Sequence, residues 1–232
     1  MLASIVLVMA LAASVISVGQ LYYGVANGCG RIVIVGSASN TGLIIASGNS
    51  STASIKISNV AVLNSVAIGK CMAVAVGLSS SGQPVYVTYN LTNGELKVYE
   101  LGGLGELYGV AYGNGYFAAV GYVNDSGLML LISSNGGYSV VRLPSDFKVL
   151  YGVSFGDGGF LIVGEGSRGA VAGFYNLSNS LITDYSSSLP SSYNYALYSA
   201  SYGYLGFMVV GEGLTNSSEY PIVGLLNVTS GS

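Results

Sequence analysis

The chain contains no histidine and no tryptophan. Without an imidazole there is no Ser-His-Asp arrangement, no histidine base and no histidine metal ligand. Charge is scarce as well: 7% of the 232 residues carry it, and the net formal charge is -3. The 7 Lys and Arg form no basic run, which argues against a nucleic-acid partner, because phosphate binding needs clustered cations. Acids recur in only one pattern, Gly164-Glu165-Gly166 and Gly211-Glu212-Gly213, read here as solvated loop acids after a second strand. They do not form the facing carboxylate pair that glycoside hydrolysis requires. The glycine-rich string Gly102-Gly103-Leu104-Gly105 lacks the lysine and the strand-to-helix setting of a phosphate cradle. Asp125 and Asp157 are explained as turn residues without a metal. No catalytic residue, no cofactor and no metal are therefore expected, and the chain reads as not an enzyme.

Low charge does not imply disorder here, because 51% of the residues are hydrophobic and they recur periodically. Five copies of one pattern open at Leu21-Tyr22-Tyr23-Gly24-Val25-Ala26, Leu63-Asn64-Ser65-Val66-Ala67, Leu107-Tyr108-Gly109-Val110-Ala111, Leu150-Tyr151-Gly152-Val153-Ser154 and Leu197-Tyr198-Ser199-Ala200-Ser201. The opening leucines are 42, 44, 43 and 47 residues apart. A period near 43 made of short strands is the spacing of a propeller blade. The fold expected is mainly β: a five-bladed β-propeller over residues 21–232, with repeats starting near 21, 63, 107, 150 and 197, behind an N-terminal apolar helix over 1–20. Tyr22, Tyr108, Tyr151 and Tyr198 at the repeat starts are read as packing between blades, with stacking platforms for sugars as the other reading.

The third repeat shows the plan. Tyr108–Tyr112 is a first strand, turned by Gly113-Asn114-Gly115, where Asn and Gly accept positive φ. Tyr116–Gly121 returns, and Asn124–Gly127 turns the chain again. Leu128–Ile132 is continuously apolar and expected to be buried on both faces. After Ser133–Gly137, the alternating Tyr138–Leu143 is an outer, half-exposed strand. The result is an antiparallel meander whose first and third turns share one end. The last repeat stops after three strands. Its gap could be filled by the stretch 13–19 or by a strand from a neighbouring subunit.

The two cysteines, Cys29 and Cys71, fall in the first turns of repeats one and two, where adjacent blades could join them in a disulfide; two buried free thiols are the alternative. A bridge would imply an oxidising compartment. Six Asn-X-Ser/Thr sequons, at Asn49, Asn90, Asn124, Asn176, Asn216 and Asn227, suggest N-glycosylation, against about three expected by chance. Four of them, Asn49, Asn90, Asn176 and Asn227, each follow a third strand. Asn and Ser as simple turn formers explain the same pattern.

Residues Met1–Gly19 carry no charge. About 20 helical residues span a bilayer's hydrocarbon layer. A signal peptide, a membrane anchor and a filament's assembly helix all compete for this segment. Small residues Ala10, Ala13, Ser14 and Ser17 would share a helix face suited to close packing.

From Leu2-Ala3-Ser4-Ile5-Val6-Leu7-Val8 through Ala12-Ala13-Ser14 to Leu21-Tyr22-Tyr23, this segment resembles the N-terminus of archaeal type IV pilins. The resemblance covers about 20 residues and implies a helix that inserts transiently in the membrane and then bundles with copies of itself. Leu107–Val140 resembles the Asp-box (BNR-type) propeller repeat, with Ser133-Ser134-Asn135-Gly136-Gly137-Tyr138 as a degenerate box that has Asn for Asp and no Trp. Sialidases of that family use an arginine triad. Arg31, Arg142 and Arg168 fall at three inequivalent repeat positions, so no site residue transfers. The function expected is a structural subunit of an extracellular, cell-surface filament, with glycosylated propeller heads outside a helical core. The alternative is a secreted or membrane-anchored module that binds a glycan or a protein.

Overall fold

The computed structural model describes residues 19–48, 51–189, 195–214 and 218–228. They form five antiparallel sheets, each from one repeat. Blade 1 contains β1 (Gln20–Gly28), β2 (Arg31–Ala38), β3 (Gly42–Gly48) and β4 (Thr52–Ile57). Blade 2 contains β5 (Val60–Gly69), β6 (Met72–Ser79), β7 (Pro84–Asn90) and β8 (Leu96–Glu100). Blade 3 contains β9 (Gly105–Gly113), β10 (Tyr116–Val123), β11 (Ser126–Ser133) and β12 (Tyr138–Val140). Blade 4 contains β13 (Phe147–Gly156), β14 (Gly159–Gly166), β15 (Gly169–Asn176) and β16 (Leu181–Asp184). Blade 5 has three strands, β17 (Tyr195–Gly203), β18 (Gly206–Leu214) and β19 (Glu219–Leu226). Every sheet is a meander in sequence order, as the turn residues require.

Two parts of the expected fold are corrected. First, no α-helix occurs among the described residues; the one helical element is a short 3-10 turn, Ser186–Ser188. The helix expected over 1–20 already fails at its end. Gly19 sits at φ +91°, and Gln20 starts β1 paired with Ala38. Ladder hydrogen bonds and a left-handed glycine replace the helical turn there. The packing residues Ala10, Ala13, Ser14 and Ser17 lie outside the described residues. Second, the five blades do not close into a five-bladed ring. The inner strand of each blade lies across the second and third strands of the blade before it, β5 on β2–β3 through to β17 on β14–β15. No contact of that scale joins blade 5 to blade 1. The described residues form an open arc of five propeller-type blades.

The core is four inter-blade layers. Val33, Val35, Ile44 and Ala46 of blade 1 meet Leu63 and Val66 of blade 2. Val74, Val76 and Tyr86 meet Leu107, Val110 and Phe117. Val120 and Met129 meet Leu150 and Phe160, and Leu161, Val163 and Phe174 meet Leu197 and Phe207. Sheets that bury both faces read as continuous apolar runs, which is why the second and third strands do so. The repeat leucines Leu63, Leu107, Leu150 and Leu197 are all completely buried at these layers.

Cys29 and Cys71 form a disulfide with Cα atoms 5.3 Å apart, fastening the first hairpin turns of blades 1 and 2. It closes a 42-residue separation, for which chain entropy gives about 4 kcal/mol of stabilisation. Such a bridge points to an oxidising, extracytoplasmic setting.

Candidate functional site

All five inner strands carry a β-bulge at the same place. The register skips one residue between Tyr22 and Gly24, Leu63 and Ser65, Leu150 and Gly152, and Leu197 and Ser199. In β9 it passes from Leu107 to Gly109. The skipped residues are Tyr23, Asn64, Tyr108, Tyr151 and Tyr198. A bulge re-aims the side chain it releases. The bulge is possible because the partner strand has glycine opposite it: Gly36, Gly77, Gly121, Gly164 and Gly211. A Cβ on any of them would lie 1.8–2.0 Å from the carbonyl oxygen of the bulged strand. The repeated Val-Gly ending of the second strand is therefore the mould for the bulge.

The released side chains line up from blade to blade. The Tyr108 and Tyr151 rings are 5.5 Å apart, and Tyr151 and Tyr198 are 5.3 Å apart. Tyr122 of β10 stacks on Tyr108 at 6.1 Å. In blade 2 the position is Asn64, whose Nδ2 donates to Glu106 Oε1 at 2.7 Å and to the Leu107 carbonyl at 2.9 Å.

Each tyrosine of the ladder faces a carboxylate. The Tyr151 hydroxyl donates to Glu165 Oε2 at 3.4 Å, and the Tyr198 hydroxyl donates to Glu212 Oε1. Tyr108 has the Glu106 carboxylate as its neighbour. These partners hold the phenols protonated. Burial, and then the charge of Glu106, pushes Tyr108 far above the ordinary phenol value. Burial, and then Glu165, raises Tyr151. The hydrogen bond to Glu212 pushes Tyr198 up to about 12. The strip offers aromatic faces beside carboxylate acceptors, with no cation among its members.

The expectations meet this site unevenly. Tyr108, Tyr151 and Tyr198 do bridge blades, but Tyr22 is not their counterpart. The bulge makes Tyr23 the equivalent and puts Tyr22 at the position of the buried leucines. Glu165 and Glu212 are not loop acids. They lie inside β14 and β18 because those strands run past the bulge glycines, Gly164 and Gly211, before turning. Glu106 and Tyr122 complete the strip in blade 3 from other repeat positions, where the repeat pattern carries no signal for them. Arg31, Arg142 and Arg168 are not brought to the strip: Arg31 opens β2, Arg142 follows β12, and Arg168 pairs with Asp146 at 3.4 Å.

The four described sequons divide between the two ends of the blades. Asn90 and Asn176 close Asx turns, their Oδ1 atoms accepting from the Thr92 and Ser178 amides at 2.9 and 2.8 Å. Their neighbours tuck back to the first turn of the same blade: Leu91 N donates to Cys71 O, and Leu177 N to Gly158 O. Asn227 is exposed, and Val228 beside it is buried in the layer between blades 4 and 5. Asn124 is exposed at the opposite end, in the β10–β11 turn, and accepts from the Leu104 amide at 3.0 Å. Asn49 and Asn216 lie outside the described residues. Among the described residues no His, Cys, Asp and Glu cluster could hold a metal, and no helix is long and apolar enough to cross a membrane.

No family model matches the sequence, and no curated protein matches it. Solved structures do resemble the fold. Virginiamycin B lyase from Staphylococcus aureus, in a catalytically inactive form with quinupristin, aligns with a TM-score of 0.63 at 15% identity, over 91% of this chain and 72% of that one. A protein from Lactobacillus plantarum aligns with a TM-score of 0.62 at 12% identity, over 90% and 72%. A chain of the nidogen/laminin complex aligns with a TM-score of 0.59 at 10% identity, over 90% and 81%. These are β-propeller proteins, and the fold of the present chain is of the β-propeller class. The chain spans about 72% of the length of the first two.

Proposed function

We propose that this chain is a secreted recognition module whose tyrosine–glutamate strip binds an oligosaccharide. The observation that carries the reading is the set of three successive bulge tyrosines, each beside a carboxylate and two of them, Tyr151 and Tyr198, hydrogen-bonded to it. Tyrosine combines a flat apolar face with a polar rim, which suits the ring face and the hydroxyls of a sugar. Carboxylates are acceptors only, and sugar hydroxyls are donors. The regular blade-to-blade spacing suits a repeating ligand over a compact one.

The reading is of binding without chemistry. The lyase neighbour is inactivated by replacing a histidine, and the present chain contains none. A filament role built on residues 1–20 rests on a segment of which 1–18 lie outside those described, whereas the strip rests on residues inside them.

The test is an immobilised oligosaccharide panel probed with the full chain. At least one glycan should be retained, and its affinity should fall tenfold or more in Tyr151→Ala, Tyr198→Ala and Glu165→Gln. If no glycan is retained, or if those variants bind as the parent does, the strip is not a sugar site.

A further inference from the structure

The two ends of the arc are shaped to fit each other. At each internal junction, four positions on the second and third strands of one blade seat the inner strand of the next. In blade 5 those positions are Met208, Val210, Val223 and Leu225. They pair in register across β18 and β19, Met208 with Leu225 and Val210 with Val223. Val33, Val35 and Ile44 of blade 1, and Leu161, Val163 and Ala172 of blade 4, are their counterparts, and all are fully buried. In blade 5 the four are 42%, 43%, 67% and 46% exposed. The seat exists, and no described strand lies in it.

The strand that would fill it is β1. Val25 is 67% exposed, whereas its counterparts Val66 and Val110 are 7% and 8% exposed under the preceding blade. The outer part of the same sheet face is a separate buried cluster, Ala38, Leu43 and Ile45. The inner strand, which does the seating at every other junction, is open.

Charge and stacking agree with this fit. Residues 1–58 contain Arg31 and Lys56 and no acid, while residues 190–232 contain Glu212 and Glu219 and no base. Tyr198 ends the tyrosine ladder at blade 5, and Tyr23 holds the same bulge position at blade 1. Both are exposed.

We infer that a second copy of this chain docks its β1 on the β18–β19 seat of blade 5, so that copies join head to tail. The junction would repeat the internal ones: Val25 over Val210 and Val223, and Tyr23 beside Tyr198. Such a contact is heterologous, so it propagates into a closed ring or an open helical array. One position weakens it. Ile68, Tyr112, Phe155 and Tyr202 cover Gly28, Gly69, Gly113 and Gly156, where a Cβ would fall 1.9–2.6 Å from them. A second copy brings Asn27 to Gly203, around which nothing lies within 4 Å of a Cβ.

The experiment is sedimentation velocity on the full chain from 1 to 200 μM, with circular dichroism confirming the fold of each variant. The parent should associate as concentration rises. Val25→Lys alone, and Val210→Lys with Val223→Lys, should each weaken association at least tenfold. Mixing these two variants should restore a one-to-one complex, because each retains the face the other has lost. Asn27→Tyr should tighten association several-fold by filling the space over Gly203. A parent that stays monomeric throughout overturns the inference, as it does if the monomer's own blade 1 shields Val210 from exchange. Association lost only in the blade 5 double variant, and not in Val25→Lys, would show two blade 5 faces pairing with each other and would equally overturn it. Sugar binding by the monomeric variants is read separately, so the two proposals fail independently.

Discussion

Tyr198 donates its hydroxyl hydrogen to Glu212, fourteen residues on, and its ring lies 5.3 Å from that of Tyr151 in the preceding blade. One side chain thus ties a carboxylate of its own sheet to an aromatic face of another. The tie keeps the phenol neutral, because an ionised oxygen would lose its donor hydrogen and face a second negative charge.

This makes stability depend on pH at the alkaline end. The folded value of Tyr198, about 12, lies above the ordinary phenol value of 10.0. A group raised on folding contributes stability that is complete below its unfolded value and lost as pH climbs through its folded value. Denaturant midpoints should therefore be flat up to about pH 10 and fall between about 10 and 12. Glu212→Gln should bring the Tyr198 titration, followed by NMR of labelled tyrosine, down toward the ordinary value. An unchanged titration would mean that Glu212 is not its cause.

The bulge glycines should tolerate nothing larger. Gly121→Ala and Gly164→Ala each drive a methyl to 2.0 Å from a backbone carbonyl oxygen. Relief requires moving the inner strand, and a loss of about 1–3 kcal/mol is expected by analogy with overpacked cores. Gly102→Ala, with open space around its Cβ, should change the urea midpoint little. Equal losses at Gly102 and Gly121 would count against the mould.

Breaking the bridge between blades 1 and 2 should be costly. Reduction, or Cys29→Ser with Cys71→Ser, should lower unfolding free energy by about 4 kcal/mol on the chain-entropy account. Mass spectrometry of the unreduced protein should show the two thiols 2 Da lighter as a pair, since oxidation removes two hydrogens. Finding both alkylatable without reductant would remove the staple.

Asn90 should matter to folding whether or not it is modified. Its Oδ1 accepts from the amides of Thr92 and Asn93 at 2.9 and 3.2 Å. Asn90→Ala should cost about 1 kcal/mol, while exposed Asn227, whose role as an acceptor site rests on exposure alone, should tolerate Asn227→Gln. Thermal melts of the two variants would separate them.

Much of the architecture could be read from the chain. The leucine period places the blades, and Gly113-Asn114-Gly115 and its relatives place the hairpins, because tight turns need positive φ and few residues supply it. Cys29 and Cys71 were findable because the repeat alignment sets them one step apart in adjacent turns. The strip was not legible. Alternation along a strand assigns Tyr108 to one face or the other, and a bulge breaks that alternation without changing any local composition. Blade 1 shows the cost: matching Leu21 with Leu63 is the natural alignment by letter, yet the pairing Tyr22–Gly36 shifts it by one. Closure was illegible for a different reason. Five repeats say how many sheets there are, but the angle between successive sheets sets how many make a circle. That angle depends on the side-chain volumes between blades, spread over four layers.

The covalent clamp sits at one extremity of a structure in which each sheet leans only on its neighbours. Blades 1 and 2 are locked together, while among the described residues blade 5 has three strands and packs on one other blade. Under a pulling force, or in the presence of a protease, the molecule should come apart in order, fraying at its C-terminal sheet first and surrendering the cystine-bound pair last.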